Sequence, residues 1–114
     1  MSQSLKKDKV YLQHILDAIA DAEKFMEGVT QNEFLKNKEK QYAVLRALEI
    51  IGEASKNLSP DLKAKNREVQ WKDVAGMRDK LIHAYFGVNL NLVWETTKKN
   101  LPELKQQIAN ILKT

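Results

Sequence analysis

Residues 38–58 read KEKQYAVLRALEIIGEASKNL, and this stretch decides the fold class. Its apolar positions recur every three or four residues, which is the period of an α-helix. The main stripe comprises Val44, Ala47, Leu48, Ile51 and Leu58. Tyr42, Leu45 and Ile50 widen this stripe, and a helix that is apolar on more than one side usually packs on more than one side. We expect this helix to contact the core of a helical bundle and a partner chain.

The chain before this helix has the same period. Residues 8–27 predict the first long helix, with Asp8 as its N-cap and Gly28 as the left-handed residue that ends it. Its apolar face comprises Leu12, Ile15, Leu16, Ile19 and Met26. Thr30 and Glu33 then have the spacing of a capping box, which predicts a short second helix.

Capping residues also mark the helices that follow residue 58. Ser59 and Pro60 predict the N-cap and the first turn of a short helix. A third long helix is predicted to begin near Trp71 and to end at about His83 or Phe86. Its inner face comprises Trp71, Val74, Met77 or Ala75, and Leu81. Gly87 follows as the residue that ends it.

The last helix is predicted to begin at a cap formed by Asn89 or Asn91. Pro102 should kink or restart it, because proline lacks a backbone donor and clashes with the carbonyl one turn back. Only four glycines and two prolines interrupt the chain, and no long apolar–polar alternation suggests strands. We therefore predict an all-α fold, an antiparallel four-helix bundle with short additional helical turns, as a single domain over residues 1–114.

Composition limits the function classes. The 114 residues include no cysteine, which excludes disulfides, thiolate metal sites and a cysteine nucleophile and fits a reducing cytoplasm. The N-terminal lysines are not followed by an apolar core, so we expect no signal peptide, and no apolar run is long enough to span a membrane. The formal net charge of +4 is compatible with a nucleic-acid partner without requiring one.

The chemistry-bearing residues are concentrated in residues 77–87, MRDKLIHAYFG. This run offers a cation at Arg78, a carboxylate at Asp79, an imidazole at His83 and a phenol at Tyr85. A histidine can accept a proton from a 2′-hydroxyl or return one to a leaving oxygen, and an arginine can hold the phosphate oxygens. RNA supplies its own nucleophile, so this chemistry requires neither a metal nor a cofactor.

Helical geometry restricts how these residues can cooperate. Arg78 and Tyr85 share one face of an ideal helix, whereas His83 points away from both. Asp79 and His83 are one turn apart, so a hydrogen bond between them would fix the histidine tautomer. For Arg78 and His83 to meet one phosphate, the helix must end or bend near His83, or two chains must combine their residues.

An ordinary structural interpretation also accounts for this run. Arg78 and Asp79 can be solvated surface charges, His83 a histidine favoured by the helix dipole, and Tyr85 a half-buried aromatic residue. Spacing alone favours this interpretation. His14, the other histidine, is best explained as a boundary residue of the first helix without a catalytic role.

A second polar set interrupts the apolar helix at residues 38–58. Arg46, Glu49 and Glu53 share one helical face. They form either a structural row of ion pairs or a group that orients Arg78, and the first interpretation is the simpler one.

The arrangement Arg78-x4-His83-x-Tyr85 resembles the motif of the HepT-like family, a branch of the HEPN superfamily. Other parts of the chain are also similar to that family: Trp71, the run Ile51-Gly52-Glu53-Ala54, the tract Asn91-Leu92-Val93-Trp94 and the tract Leu101-Pro102-Glu103-Leu104. The resemblance covers residues 8–112 and implies a HEPN-like helical domain.

The resemblance also implies a function. HepT-like proteins are toxins of toxin–antitoxin pairs, homodimeric and metal-independent ribonucleases whose motif helices meet at a cleft. Their antitoxin is a minimal nucleotidyltransferase that silences the toxin by transferring AMP to the motif tyrosine. Carried over to this chain, Arg78 binds phosphate, His83 is the acid/base and Tyr85 is the AMP acceptor, while Asp79 and Glu53 support the site.

A function of a different class uses the same residues. The chain can be a non-catalytic helical subunit that binds a nucleotidyltransferase partner, with Arg78 and His83 holding a phosphate without cleaving it. Loss of RNA cleavage in the His83→Ala variant distinguishes the enzyme from this binding subunit.

Overall fold

The computed structural model describes the backbone of residues 2–86 and 89–113, and the side chains of residues 5–77, 79 and 89–113. Seven α-helices and one π-helical segment occupy these ranges: α1 (Ser2–Phe25), α2 (Gln31–Lys36), α3 (Lys38–Lys56), α4 (Pro60–Lys65), α5 (Trp71–Phe86), α6 (Leu90–Glu95), the π-helical segment (Thr96–Asn100) and α7 (Leu101–Lys113). No strand occurs within the described ranges. The predicted all-α fold class is confirmed.

The core forms where the long helices pack together. α3 contacts both α1 and α5, and α7 also packs against α1. The apolar stripes predicted for the first two long helices are buried here; the fully buried members include Ile15, Ile19, Val44, Leu48 and Ile51. The three- and four-residue spacing puts each of these side chains on the face that meets the next helix.

The beginning of the first helix differs from the prediction. α1 starts at Ser2, so Asp8 is an interior residue of the helix and does not cap it. Its carboxylate is 4% exposed and accepts hydrogen bonds from the Ser59 backbone N–H at 2.8 Å and the Ser59 hydroxyl at 2.6 Å. Asp8 therefore connects the beginning of α1 to the residue that precedes α4.

The predicted capping residues take the expected geometry elsewhere. Gly28 ends the first helical region with a φ of 71°, the left-handed conformation that glycine adopts without strain. Thr30 and Glu33 form the predicted capping box at the start of α2. The Ser59 side chain accepts the Leu62 N–H and caps α4, as predicted.

The C-terminal region is interrupted before the proline, as predicted. Asn89 caps α6, and the chain then widens into the π-helical segment before α7 begins at Leu101. The Leu101 N–H bonds to the Thr96 carbonyl, five residues back. This wider turn relieves the clash that the Pro102 ring would make with the preceding turn of an α-helix.

Two side-chain contacts indicate helix directions. The Asp8–Ser59 bond joins the beginning of α1 to the chain just after α3, so these two packed helices run in opposite directions. Lys105, near the beginning of α7, contacts Glu23 near the end of α1 at 2.9 Å, so α7 also runs opposite to α1. The complete antiparallel four-helix arrangement stays a prediction.

Candidate functional site

The predicted site residues lie on α5, a helix fixed at its beginning. Val69 and Val74 are buried, and the Trp71 indole N–H donates to the Asn66 carbonyl at 2.9 Å. The predicted inner-face residues Trp71 and Met77 pack partly buried against the core, whereas the Leu81 side chain lies outside the described residues. These contacts hold α5 against α3 and set the register of the residues that follow.

α5 continues beyond the histidine. Arg78, His83 and Tyr85 all lie within the helix, which extends to Phe86, while their side chains are outside the described part of the structure. The end at Phe86 is the later of the two ends that the sequence predicted. Gly87, expected as the residue that ends it, lies outside the described ranges.

The backbone positions still determine the angular relationships. Residues 78 and 85 differ by about 20° around the helix axis, whereas residues 78 and 83 differ by about 140°. A continuous helix thus separates the arginine and histidine positions within one chain. Of the two predicted arrangements, this geometry favours the one in which two chains combine their residues.

Asp79 is the one member of the predicted set on α5 whose side chain is described. It is exposed, one helical turn before His83. A solvated carboxylate at this position fits a supporting role and is also compatible with an ordinary surface charge.

The polar row on α3 lies on the helix that packs against α5. Arg46 Nη1 and Glu49 Oε1 are 3.4 Å apart, which confirms an ion pair between these two residues. The Arg46 side chain is 68% exposed, so this pair contributes little to stability. Glu53, one turn further along, is partly buried.

The second histidine of the chain, His14, lies within the described part of the structure. His14 is exposed and makes an edge-on ring contact with Tyr11, with centroids 5.9 Å apart, which agrees with a boundary residue.

In the described part of the chain, no three His, Asp or Glu side chains are grouped so that they could hold a metal ion. None of the described helices has the length and apolar character needed to cross a bilayer.

Phe34, Trp94 and Lys98 form a cluster that was not predicted from the sequence. Trp94 contacts the buried Phe34 ring, and the Lys98 ammonium lies 4.9 Å from the Trp94 ring centroid. The four-residue separation of Trp94 and Lys98 is a signal that could have predicted their contact. The contact with Phe34 had no such signal, because it joins two helices distant in sequence.

An all-α chain with an arginine, a histidine and a tyrosine on one helix has the organisation expected of HEPN-like proteins. The family model described as Ribonuclease HepT-like matches residues 15–111, a range that includes all three positions. The chain belongs to the HepT-like ribonuclease family.

The most informative relatives match over nearly their full length. A Thermococcus cleftensis protein named Probable ribonuclease HepT is 46% identical over 95% of this chain and 98% of its own. A Caldanaerobacter subterraneus subsp. tengcongensis protein that bears the name Putative RNase is 45% identical over 95% of this chain and 96% of its own. No significant match to a solved structure was found.

Proposed function

We propose that this protein is an endoribonuclease that uses Arg78 and His83. The observation that carries the proposal is the match to the HepT-like ribonuclease family across residues 15–111, which contains both positions. The names of the Thermococcus and Caldanaerobacter relatives describe ribonucleases and support the same activity. The net charge of +4 is compatible with a phosphate-rich substrate.

The reaction uses the substrate's own nucleophile. His83 accepts the proton of a 2′-hydroxyl as that oxygen bonds to the neighbouring phosphorus. The bond from phosphorus to the 5′-oxygen breaks, and the imidazolium of His83 returns the proton to this leaving oxygen. Arg78 stabilises the charge that builds on the non-bridging oxygens. The products are a 2′,3′-cyclic phosphate and a 5′-hydroxyl, so protons and bonds balance without a metal.

The active form is a homodimer in which the arginine of one chain works with the histidine of the other. The angle of about 140° between positions 78 and 83 on a continuous helix supports this arrangement. The outer side of α3 provides exposed surface of mixed character for such a contact: Tyr42 is 56% exposed, Leu45 and Ile50 are partly buried, and Arg46 and Glu49 share the face of Tyr42. Asp79 and Glu53 support the site from α5 and α3.

The activity serves as the toxin of a toxin–antitoxin pair in the cytoplasm. A nucleotidyltransferase antitoxin transfers AMP from ATP to the Tyr85 hydroxyl oxygen, with release of pyrophosphate and the phenolic proton. Because positions 78 and 85 lie about 20° apart around the helix, the adduct places an anion beside Arg78. The modified protein can no longer hold the RNA phosphate there.

The nuclease is tested with purified protein that intact mass shows to be free of AMP. Total cellular RNA is incubated in EDTA with this protein and with the His83→Ala variant. We expect cleavage by the wild-type protein and a loss of at least about 100-fold in the variant, the usual contribution of a general acid or base. Absence of cleavage by the unmodified wild-type protein contradicts the proposal and favours a non-catalytic subunit that binds the nucleotidyltransferase.

The silencing step is tested separately with Tyr85→Phe. Without the phenolic oxygen there is no acceptor for AMP, so this variant should cleave RNA and resist the antitoxin. Mass spectrometry after incubation with ATP and the nucleotidyltransferase measures adduct formation. If the antitoxin still silences Tyr85→Phe, Tyr85 is not the acceptor.

A further inference from the structure

The Trp94 side chain is held as a rigid platform. It lies partly buried on α6, and its ring centroid is 5.8 Å from that of Phe34, with the two planes tilted by 41°. Phe34 is fully buried on α2, so this contact fixes the indole against the core. A pre-positioned ring loses little freedom when a flat ligand stacks on it.

An exposed lysine lies over the Trp94 ring. The Lys98 ammonium lies 4.9 Å from the ring centroid, and the Lys98 side chain is exposed. A cation–π contact at an exposed site is weaker than the stacking of a nucleobase on an aromatic residue. A base can therefore displace Lys98 from the ring, and the released ammonium can then reach a neighbouring phosphate.

Side-chain amides border the same surface. Asn91 lies three residues before Trp94 on α6, so both occupy one helical face. Its Oδ1 accepts a hydrogen bond from Gln31 Nε2 of α2 at 2.8 Å, and both side chains are exposed. Each amide offers donors and an acceptor that match base edges. The surface thus combines the three groups that single-stranded RNA requires: an aromatic face, amides and a cation.

We infer that Trp94, Lys98, Asn91 and Gln31 form a binding subsite for one unpaired nucleotide of single-stranded RNA, with the base stacked on Trp94 and a phosphate held by Lys98. The inference rests on the proposed ribonuclease function and extends its substrate contacts to the helix that follows α5 in sequence. It adds no catalytic residue, because the subsite binds the RNA outside the reacting phosphate.

Binding is measured with a mixed-sequence octanucleotide that carries 2′-O-methyl riboses, which cannot be cleaved through the 2′-oxygen. In the Trp71→Phe variant, Trp94 is the remaining tryptophan of the chain, so its fluorescence reports directly on stacking. We expect this oligonucleotide to quench the Trp94 emission of the Trp71→Phe variant. Saturable binding without a change in Trp94 emission overturns the inference.

Substitutions of Trp94 test the stacking. Trp94→Leu keeps apolar volume over Phe34 but removes the π face, so Kd should rise between about 5-fold and about 100-fold. Trp94→Phe keeps a smaller aromatic face and should recover part of this loss. Circular dichroism checks that both variants fold. Unchanged affinity in a folded Trp94→Leu variant overturns the inference.

Lys98→Gln provides a test that leaves the aromatic packing in place. Loss of one phosphate contact should weaken binding. The slope of log Kd against log salt concentration should also fall by about one, because one phosphate fewer is neutralised. Lys65→Gln is the matched control, because Lys65 is an exposed lysine paired with Asp61 on α4. Equal effects of the two substitutions overturn the role of Lys98.

The binding test of the subsite and the cleavage test of the nuclease can fail independently of each other. If the wild-type protein does not bind the octanucleotide, the inference fails whatever the enzyme does to long RNA. If RNA cleavage in EDTA is present while Trp94→Leu binds normally, the nuclease stands and the subsite does not exist.

Discussion

At the residue scale, Asp8 shows what the sequence analysis could not anticipate. Its position before an apolar period suggested an N-cap, because a local pattern carries information only about neighbours within a turn or two. The actual partner, Ser59, lies 51 residues away. The same limit applies to the contact between Trp94 and Phe34, whereas the local pair of Trp94 and Lys98 follows from helical spacing.

Removal of the Asp8 carboxylate should lower stability. Asp8→Ala leaves the Ser59 N–H and hydroxyl without their buried acceptor, so we expect the free energy of unfolding to fall by about 2 kcal/mol. Urea denaturation measures the change. Asp17→Ala is the control, because Asp17 is exposed and should change stability by less than about 0.5 kcal/mol. Equal effects of the two substitutions would show that the Asp8–Ser59 contact contributes no specific stability.

At the element scale, local chemistry predicted most helix boundaries correctly. The capping box at Thr30, the Ser59 cap and the turn at Gly28 each depend on residues within three positions of one another, which sequence reasoning can recognise. The interruption before Pro102 was predicted, but its π-helical form was not. That form depends on how the chain redistributes its hydrogen bonds, and the proline alone does not specify it.

Replacement of glycine by alanine should have opposite effects on stability at two positions of this chain. Gly28 has a φ of 71°, so Gly28→Ala should destabilise the protein by about 1 kcal/mol through backbone strain. Gly76 lies inside α5, and no described residue outside its own helical turn comes within 4 Å of an added Cβ, so Gly76→Ala should stabilise the protein by about 0.5–1 kcal/mol. Thermal and urea denaturation compare the two variants. Effects of the same sign would contradict this account of the two backbone conformations.

At the scale of the whole molecule, the sequence predicted the helical core but not the geometry of the site. Burial repeats with the helical period along α1 and α3, so residues such as Ile15 and Ile51 were identified from spacing. The relation between Arg78 and His83 depends on where α5 ends, and the local sequence pattern left two ends open. The structure places this end at Phe86, so positions 78 and 83 lie on one helix, about 140° apart around its axis.

The proposed dimer should be sensitive to the outer face of α3. Tyr42→Asp replaces an aromatic side chain that is 56% exposed in the single chain with a charged one, so we expect this variant to be monomeric and to lose RNA cleavage. Light scattering coupled to gel filtration measures the mass. Val10→Asp on α1 is the matched control, because Val10 is similarly exposed at 52% and should leave the dimer intact. A Tyr42→Asp protein that keeps the wild-type mass excludes this face as the interface.

The most direct test of the central claim mixes two inactive variants. Arg78→Ala and His83→Ala should each lose RNA cleavage, and equal amounts are unfolded together and refolded so that their chains exchange. If each site takes its arginine from one chain and its histidine from the other, half of the dimers contain one complete site, which predicts about a quarter of wild-type activity. Cleavage by wild-type protein treated in the same way, with none in the mixture, would contradict a site shared between two chains.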